Sequence, residues 1–305
     1  MSDVGIKTPP PLRALREYNM KHIVILFHEF HRQRHKLLIH ALSASWSKMG
    51  LRVSFIYGTD DRPEAELLIP QIDLTHTPDE YVDYCNSYHN VINRYVTDIS
   101  KRRISSNLLW GDEEYHGPVI VKTDNNAAGV PDYRMSKIHN NIFRRVAHKV
   151  LPVAEHLLGR QMAWRKTLIP YRIYNNLSEV PAGVFKNCEL VIERFLPEKE
   201  GKRYFMRHYL CLGDQVRSVR VSGLSPFLKR STCELVDEGL VPPDEVVALR
   251  RHLGLDYGKI DYVMNEGQVV ILDVNRTPGL PGTPAATALT VNDLADGIWS
   301  LLDKT

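Results

Sequence analysis

Apolar residues recur with two different periods along this chain, and the points where the period changes mark its elements. The run Ile23-Val24-Ile25-Leu26-Phe27 is continuously apolar, which predicts a strand over 22–27 buried on both faces. Leu37, Leu38, Ala41, Leu42, Ser45, Trp46 and Met49 then recur at three and four residues, the spacing of one helix face. Gly50 supplies the C-terminal cap. A second strand is predicted over 51–57, closed by Gly58, so the first forty structured residues read as a right-handed βαβ unit on a parallel sheet. A third apolar segment, 67–72, runs out at Asp73-Leu74-Thr75, and a helix is expected from about Asp79 to Tyr95.

The second half reads differently. Pro118-Val119-Ile120-Val121-Lys122 predicts a strand ending in a lysine, followed by the turn-prone Asp124-Asn125-Asn126-Ala127-Ala128-Gly129. Further strands are expected over 190–192, 203–212 and 216–221, and a helix over 244–253. A closing hairpin pairs 259–264 with 269–274 through Asn265-Glu266-Gly267. The last helix is expected over 291–302, with Thr290 as N-cap and Asp293 as the acidic partner of a capping box. Residues 1–20, with Pro9-Pro10-Pro11 and little periodicity, read as a flexible leader.

Composition narrows the class. The 305 residues are 43% hydrophobic and 25% charged, the balance of a globular protein with a real core. A net charge of +3 is too small to argue for nucleic acid. Cys85, Cys188, Cys211 and Cys233 stand far apart with no CxxC pair, which argues against a zinc ribbon or a disulfide scaffold and fits a reducing, cytoplasmic location. No apolar run approaches the roughly 20 residues of a membrane helix, and the start has no h-region, so neither membrane insertion nor a signal peptide is expected. One stretch is anomalous: 134–172 carries nine Lys and Arg against Glu155 alone. Eight uncompensated charges suit either a solvated helical surface or attraction of a polyanionic substrate.

The candidate chemistry lies in the closing hairpin. Alternate residues of a strand share a face, so Lys259 and Asp261 point one way on the first strand, as do Asp273 and Asn275 on the second. In the register of a short turn these four converge. Two carboxylates and an amide are hard oxygen ligands, and magnesium takes few of these from protein, completing its shell with water and phosphate. A lysine beside them requires something anionic. The patch reads as a site for a magnesium-bound nucleoside triphosphate.

Here the chain resembles the ATP-grasp superfamily, whose signature is a basic-x-Asp strand followed after a turn by Glu-x-Asn-x-x-Pro-Gly. The corresponding residues are Lys259-x-Asp261 and Asp273-x-Asn275-x-x-Pro278-Gly279, with Asp273 one methylene shorter than the family's glutamate. The resemblance implies an α/β (α+β grasp) fold: a pre-ATP-grasp βαβ domain over 21–100, then an ATP-grasp domain over 101–305. The latter would comprise a lid lobe at about 118–198 and a metal-binding lobe at about 199–305. It implies that Asp261, Asp273 and Asn275 hold Mg2+ or Mn2+ and that Lys259 contacts the transferring phosphate. Glu193, Arg194 and Leu196 would grip adenine, Glu200 the ribose, and Lys101 and Lys122 the phosphates, under a loop ending at Gly129. Arg220 and Lys229 are expected to neutralise a developing phosphoryl charge.

The function so implied is an ATP-dependent carboxylate–amine ligase that acts through an acyl phosphate and releases ADP and phosphate. No Ser/His/Asp or Cys/His arrangement competes with it. A kinase on the same fold and a non-catalytic nucleotide-binding module are the alternatives. Partners would be small-molecule carboxylates and amines, a polyanion among them in view of 134–172; nucleic acid is not expected, and a homo-oligomer is left open. His28, His31 and His35 follow the first strand, His31 and His35 on a common helix face; with no third ligand they read as a polar helix entrance. Glu29, His31, Arg32, Asp73 and Thr75 lie where loops at the carboxyl ends of parallel strands form a co-substrate crevice.

Overall fold

The computed structural model describes residues 20–31, 37–111, 113–135, 171–228 and 232–303. Residues 1–19 of the expected leader, Arg32, His35, Lys229 and most of the basic stretch lie outside these. β1 (His22–Phe27), α1 (Leu38–Lys48) and β2 (Arg52–Tyr57) form the expected unit, and β3 (Leu67–Gln71) completes a three-stranded sheet of order β2-β1-β3. Both pairings are parallel, and every residue of β1 is buried, as a strand covered on both faces requires. Leu38, Ile39, Leu42 and Trp46 of α1 are fully buried, each worth roughly 1.5–3 kcal/mol. Their core does not close within the unit. It continues through Leu210, Leu212, Tyr257, Leu294 and Ile298 far along the chain, and the Trp46 indole donates to the Ala295 carbonyl at 3.0 Å.

α2 spans Asp79–Asn86, shorter than the expected helix to Tyr95. Val91 and Ile92 are apolar because they lie alongside β3: Leu68 bridges Val91, and the Ile92 N–H donates to the Leu68 carbonyl at 3.2 Å. Asn93, with φ +53°, turns the chain away. Tertiary pairing here overrides local helical spacing.

α3 (Lys101–Ile104) leads to β4 (Leu108–Leu109) and β5 (Val119–Thr123), then α4 (Val130–Met135), β6 (Arg172–Tyr174), α5 (Ala182–Phe185) and β7 (Leu190–Arg194). The four strands make an antiparallel sheet of order β4-β7-β5-β6. Beyond it, β8 (Glu198–Glu200), β9 (Arg203–Leu212), β10 (Gln215–Gly223) and β11 (Glu234–Glu238) precede α6 (Asp244–Leu253). The closing hairpin follows as β12 (Tyr257–Asn265) and β13 (Gln268–Asn275). The larger sheet has order β11-β10-β9-β12-β13, with β8 on β9. Its hairpin turns through Glu266 and Gly267, both at positive φ (+50° and +81°), the conformation that matches strand twist. α6 ends on Gly254 in the left-handed region after Arg250, Arg251 and His252, satisfying the carbonyls and dipole of its last turn.

The terminal helix departs from expectation. α7 runs Pro284–Leu294 with Thr283 as N-cap, and α8 (Ile298–Leu302) follows a 3₁₀ turn. Thr290 is therefore internal and donates to the Ala286 carbonyl instead of capping. The break falls at Gly297, where a Cβ would collide with the Leu212 carbonyl. Leu294, Ile298 and Leu301 still form the buried face. No described helix is long and apolar enough to cross a membrane.

Candidate active site

Sheet pairing decides which charges meet. Lys259 lies opposite Asn275 and Asp261 opposite Asp273, while β9 sets His208 opposite Asp261. Paired residues share a face, so these five side chains belong to one side of the sheet. Lys259 Nζ is 2.8 Å from Asp261 Oδ2, and His208 Nδ1 is 2.6 Å from Asp261 Oδ1. His208 carries no motif in the sequence; only the register of β9 against β12 brings it here.

The two carboxylates differ. Burial opposes charge on Asp261, yet Lys259 and His208 hold its carboxyl well below the usual range. Burial lifts Asp273 above that range, and the neighbouring Asp261 adds to the effect against the pull of Lys101. Lys101 Nζ stands 3.9 Å from Asp273 Oδ1 and donates to the Asn125 carbonyl at 2.8 Å. A buried carboxylate pair in which one member resists ionisation lacks positive charge, and a divalent cation would supply it. Among the described residues no three His, Cys, Asp or Glu side chains form a ready cation cage. A pair suits magnesium, whose remaining ligands are water and phosphate. The Asn275 amide oxygen accepts from the Thr277 N–H at 2.8 Å and its hydroxyl at 3.1 Å, so it closes the strand end and does not line the cavity.

That cavity, about 650 Å³, opens between the four-stranded sheet and the hairpin sheet, bridged by the chain at 194–197. Lys101, Lys122, Glu193, Asp261 and Asp273 all line it, with Arg194, Leu196, Met206 and Val263 among its other walls. Lys122 and Glu193 are buried and paired at 2.5 Å, and the Tyr171 ring lies 5.9 Å from Lys122 Nζ. Burial pushes the Tyr171 hydroxyl up to about 12. Glu193 Oε1 is buried without a hydrogen-bond partner, an acceptor poised for a donor from whatever fills the space. Over the cavity stands the turn 126–129. Ala127, Ala128 and Gly129 have φ of +45°, +57° and +72°, and successive N–H groups in such a turn form an anion-binding concavity. Ala128, not Gly129, reaches the cavity wall.

Two expected residues are elsewhere. Arg220 pairs in register with Arg207, one position along β9 from His208, and so lies on the opposite face from Asp261. Its guanidinium is held by Glu198 at 2.8 Å and by Glu200. Glu200 is thereby occupied and does not line the cavity. The expectation that Arg207 and Arg220 face the nucleotide fails because each side chain of a strand reverses direction. His31 is buried and stacked on Phe27 at 4.3 Å in a turn rather than on a helix. Thr75, expected at an open rim, is fully buried.

No protein-family model matches the sequence, and comparison with curated proteins returns no match. Solved structures do match. An ATP-grasp ligase, PsnB, complexed with a minimal precursor aligns over 92% of this chain and 97% of its own at 11% identity, with a TM-score of 0.53. A RiPP-associated ATP-grasp ligase from Chryseobacterium gregarium, in complex with ADP and a leader and core peptide, aligns over 94% of this chain and 98% of its own. Its identity is 11% and its TM-score 0.52. PsnB complexed with a phosphomimetic precursor variant, Mg and ADP gives a TM-score of 0.50 at 11% identity over 93% and 100%. At such identity the likeness speaks for architecture: this chain has the ATP-grasp fold.

Proposed function

We propose that this protein is an ATP-dependent ligase that joins a carboxylate to an amine through an acyl phosphate, releasing ADP and phosphate. The observation that carries the reading is the convergence of Lys101, Lys122, Lys259, Asp261 and Asp273 at one cavity between two sheets. Nucleotide fits the donor set: cations and a left-handed loop suit phosphates, the unpartnered Glu193 oxygen suits a base amine, and the carboxylate pair suits a magnesium ion. Magnesium-bound ATP, when present, supplies the phosphoryl group that turns a carboxylate into an acylating agent.

The chain's own part is positioning and charge. Asp261 and Asp273 would hold the cation, with His208 and Lys259 fixing Asp261 in its ionised form. Lys101, Lys122 and Lys259 would offset negative charge spreading over phosphoryl oxygens, the dominant requirement of such transfers. The 126–129 loop and the hinge at 194–197 would enclose the reacting groups, because water must be kept from an acyl phosphate. Substrates would enter between the Asp73–Thr75 segment and the loop 276–279, which meet through Thr277 Oγ1 and Asp73 Oδ1 at 2.7 Å. Two of the structural neighbours are complexed with peptides, so peptide carboxylates and amines belong beside small metabolites in any substrate pool. A cytoplasmic location, with Mg2+ or Mn2+ as the metal, accompanies the reading.

The test combines purified protein, Mg-ATP and a pool of ¹⁸O-labelled carboxylates with free amines, followed by mass spectrometry of all phosphorus products. One ¹⁸O in released phosphate, with a matching amide mass, is the expected result. A stable phosphorylated product and unlabelled phosphate would replace the ligase by a kinase. Nucleotide binding with no turnover against any pool would favour a non-catalytic module.

A further inference from the structure

The turn over the cavity holds three consecutive residues in the left-handed region, two of them alanines. Alanine rarely adopts that conformation, and such strain persists only where the surroundings over-determine it. The surroundings here come down to one hydroxyl. Thr75, fully buried just past β3, accepts from the Asn126 N–H through Oγ1 at 2.9 Å. The same Oγ1 donates to Asp132 Oδ2 at 2.9 Å, and the Thr75 N–H donates to Asp132 Oδ1 at 3.0 Å. Asn126 opens the turn and Asp132 lies in α4 directly after it, so both ends of the strained segment are fastened to one residue of the N-terminal sheet.

We propose that Thr75 is a positioning residue for the phosphate loop: it ties both ends of 126–129 to the N-terminal sheet and so keeps the left-handed turn formed over the cavity. The ligand of that loop rests on the functional reading above; the tether does not. A hydroxyl is required because the atom must accept and donate at once, which valine of the same shape cannot do. The same short segment reaches the hairpin as well, since Asp73 accepts from Thr277, and Thr277 is bonded to Asn275. Residues 73–75 thus touch both halves of the nucleotide site. What occupies the crevice beside them would bear on the loop through Thr75.

The experiment compares wild type, Thr75→Val and Thr75→Ser by hydrogen exchange of the nucleotide-free protein and by calorimetric titration with Mg-ADP. In T75V, amides at 126–132 should exchange at least about tenfold faster while the β12–β13 hairpin is unchanged, and Mg-ADP affinity should fall about tenfold. T75S, which keeps the hydroxyl, should restore both. Unchanged exchange at 126–132 in T75V overturns the proposal, as does faster exchange with undiminished affinity. Should circular dichroism show T75V to be unfolded, Asp132→Asn, which turns one acceptor into a donor against Thr75, is read by the same two measurements. Wild type that fails to bind Mg-ADP strikes the functional reading, while the exchange data still decide the tether.

Discussion

Two clusters of charge occupy opposite faces of one sheet, and they are built differently. On the outer face Arg207 donates to Glu198 at 2.9 Å, Arg220 to Glu198 at 2.8 Å and also to Glu200, and the Met264 N–H adds a third donor at 2.9 Å. Arg220 also stacks 3.8 Å over the Phe205 ring. Burial works against the Glu198 charge, but Arg207 and the other donors outweigh it and hold the carboxyl below its usual range. On the cavity face Lys259 and His208 both serve Asp261, Lys101 stays at 3.9 Å, and Asp273 keeps a raised pKa. Residue types are nearly the same on the two faces. The outer network is closed and does structural work; the inner one leaves a charge to be supplied from outside.

That contrast can be broken at either face. The largest effect should come from Asp261→Asn, which removes a cation ligand and leaves Lys259 and His208 facing a neutral amide. ADP formation should fall by about a thousandfold, measured by coupled assay, with circular dichroism unchanged. Lys101→Met should cost about a hundredfold in the same assay, since its ammonium is buried at the cavity wall. Arg220→Leu should reverse the pattern. It deprives two glutamates of a partner and should lower unfolding free energy by about 1–3 kcal/mol in urea titration, with ADP formation kept within about twofold. An Arg220→Leu protein that is fully stable but inactive would move Arg220 back into the chemistry.

The smallest effect has a distinctive sign. Asp273 has its folded pKa raised, so ionisation costs folding free energy once pH exceeds its unfolded value. Asp273→Asn should therefore melt a few degrees higher than wild type at pH 7 in the absence of nucleotide. That advantage should vanish below about pH 4, where the carboxyl is protonated in both states. Asp261 runs oppositely. Its folded pKa is depressed, so its contribution is present above the unfolded pKa and is lost as pH falls through the folded one. Scanning melts of both variants across pH would sharpen the distinction between the satisfied and unsatisfied carboxylates.

Much of the site was legible because its signal is local. Lys259, Asp261, Asp273 and Asn275 sit on a hairpin whose two-residue turn sets the register, and period-two alternation does the rest. Lys122 ends a strand, and the turn after it contains the small residues a positive φ requires. Arg220 and Glu200 were misplaced because parity along β8 and β10 depends on where β9 pairs, which no local pattern states. His208 was missed for the same reason: a histidine in a strand signals nothing until its neighbour is known. The expected helix to Tyr95 failed where Val91 and Ile92 find a strand edge, and the Thr290 cap failed because Gly297 must yield to the Leu212 carbonyl.

What this sequence by itself determined is each element whose apolar period closes on its own neighbours: the βαβ unit, the hairpin, and the alignment of carboxylates across it. Those depend on spacing over a few residues, and spacing is written in the chain. Tertiary structure alone decided which face each remaining charge joins, how Lys101 reaches Asp273 across 172 positions, and that Thr75 fastens a loop fifty residues on. Such contacts are set by sheet order and by packing against a core that runs from Ile23 to Leu302, and neither is a property of any short segment.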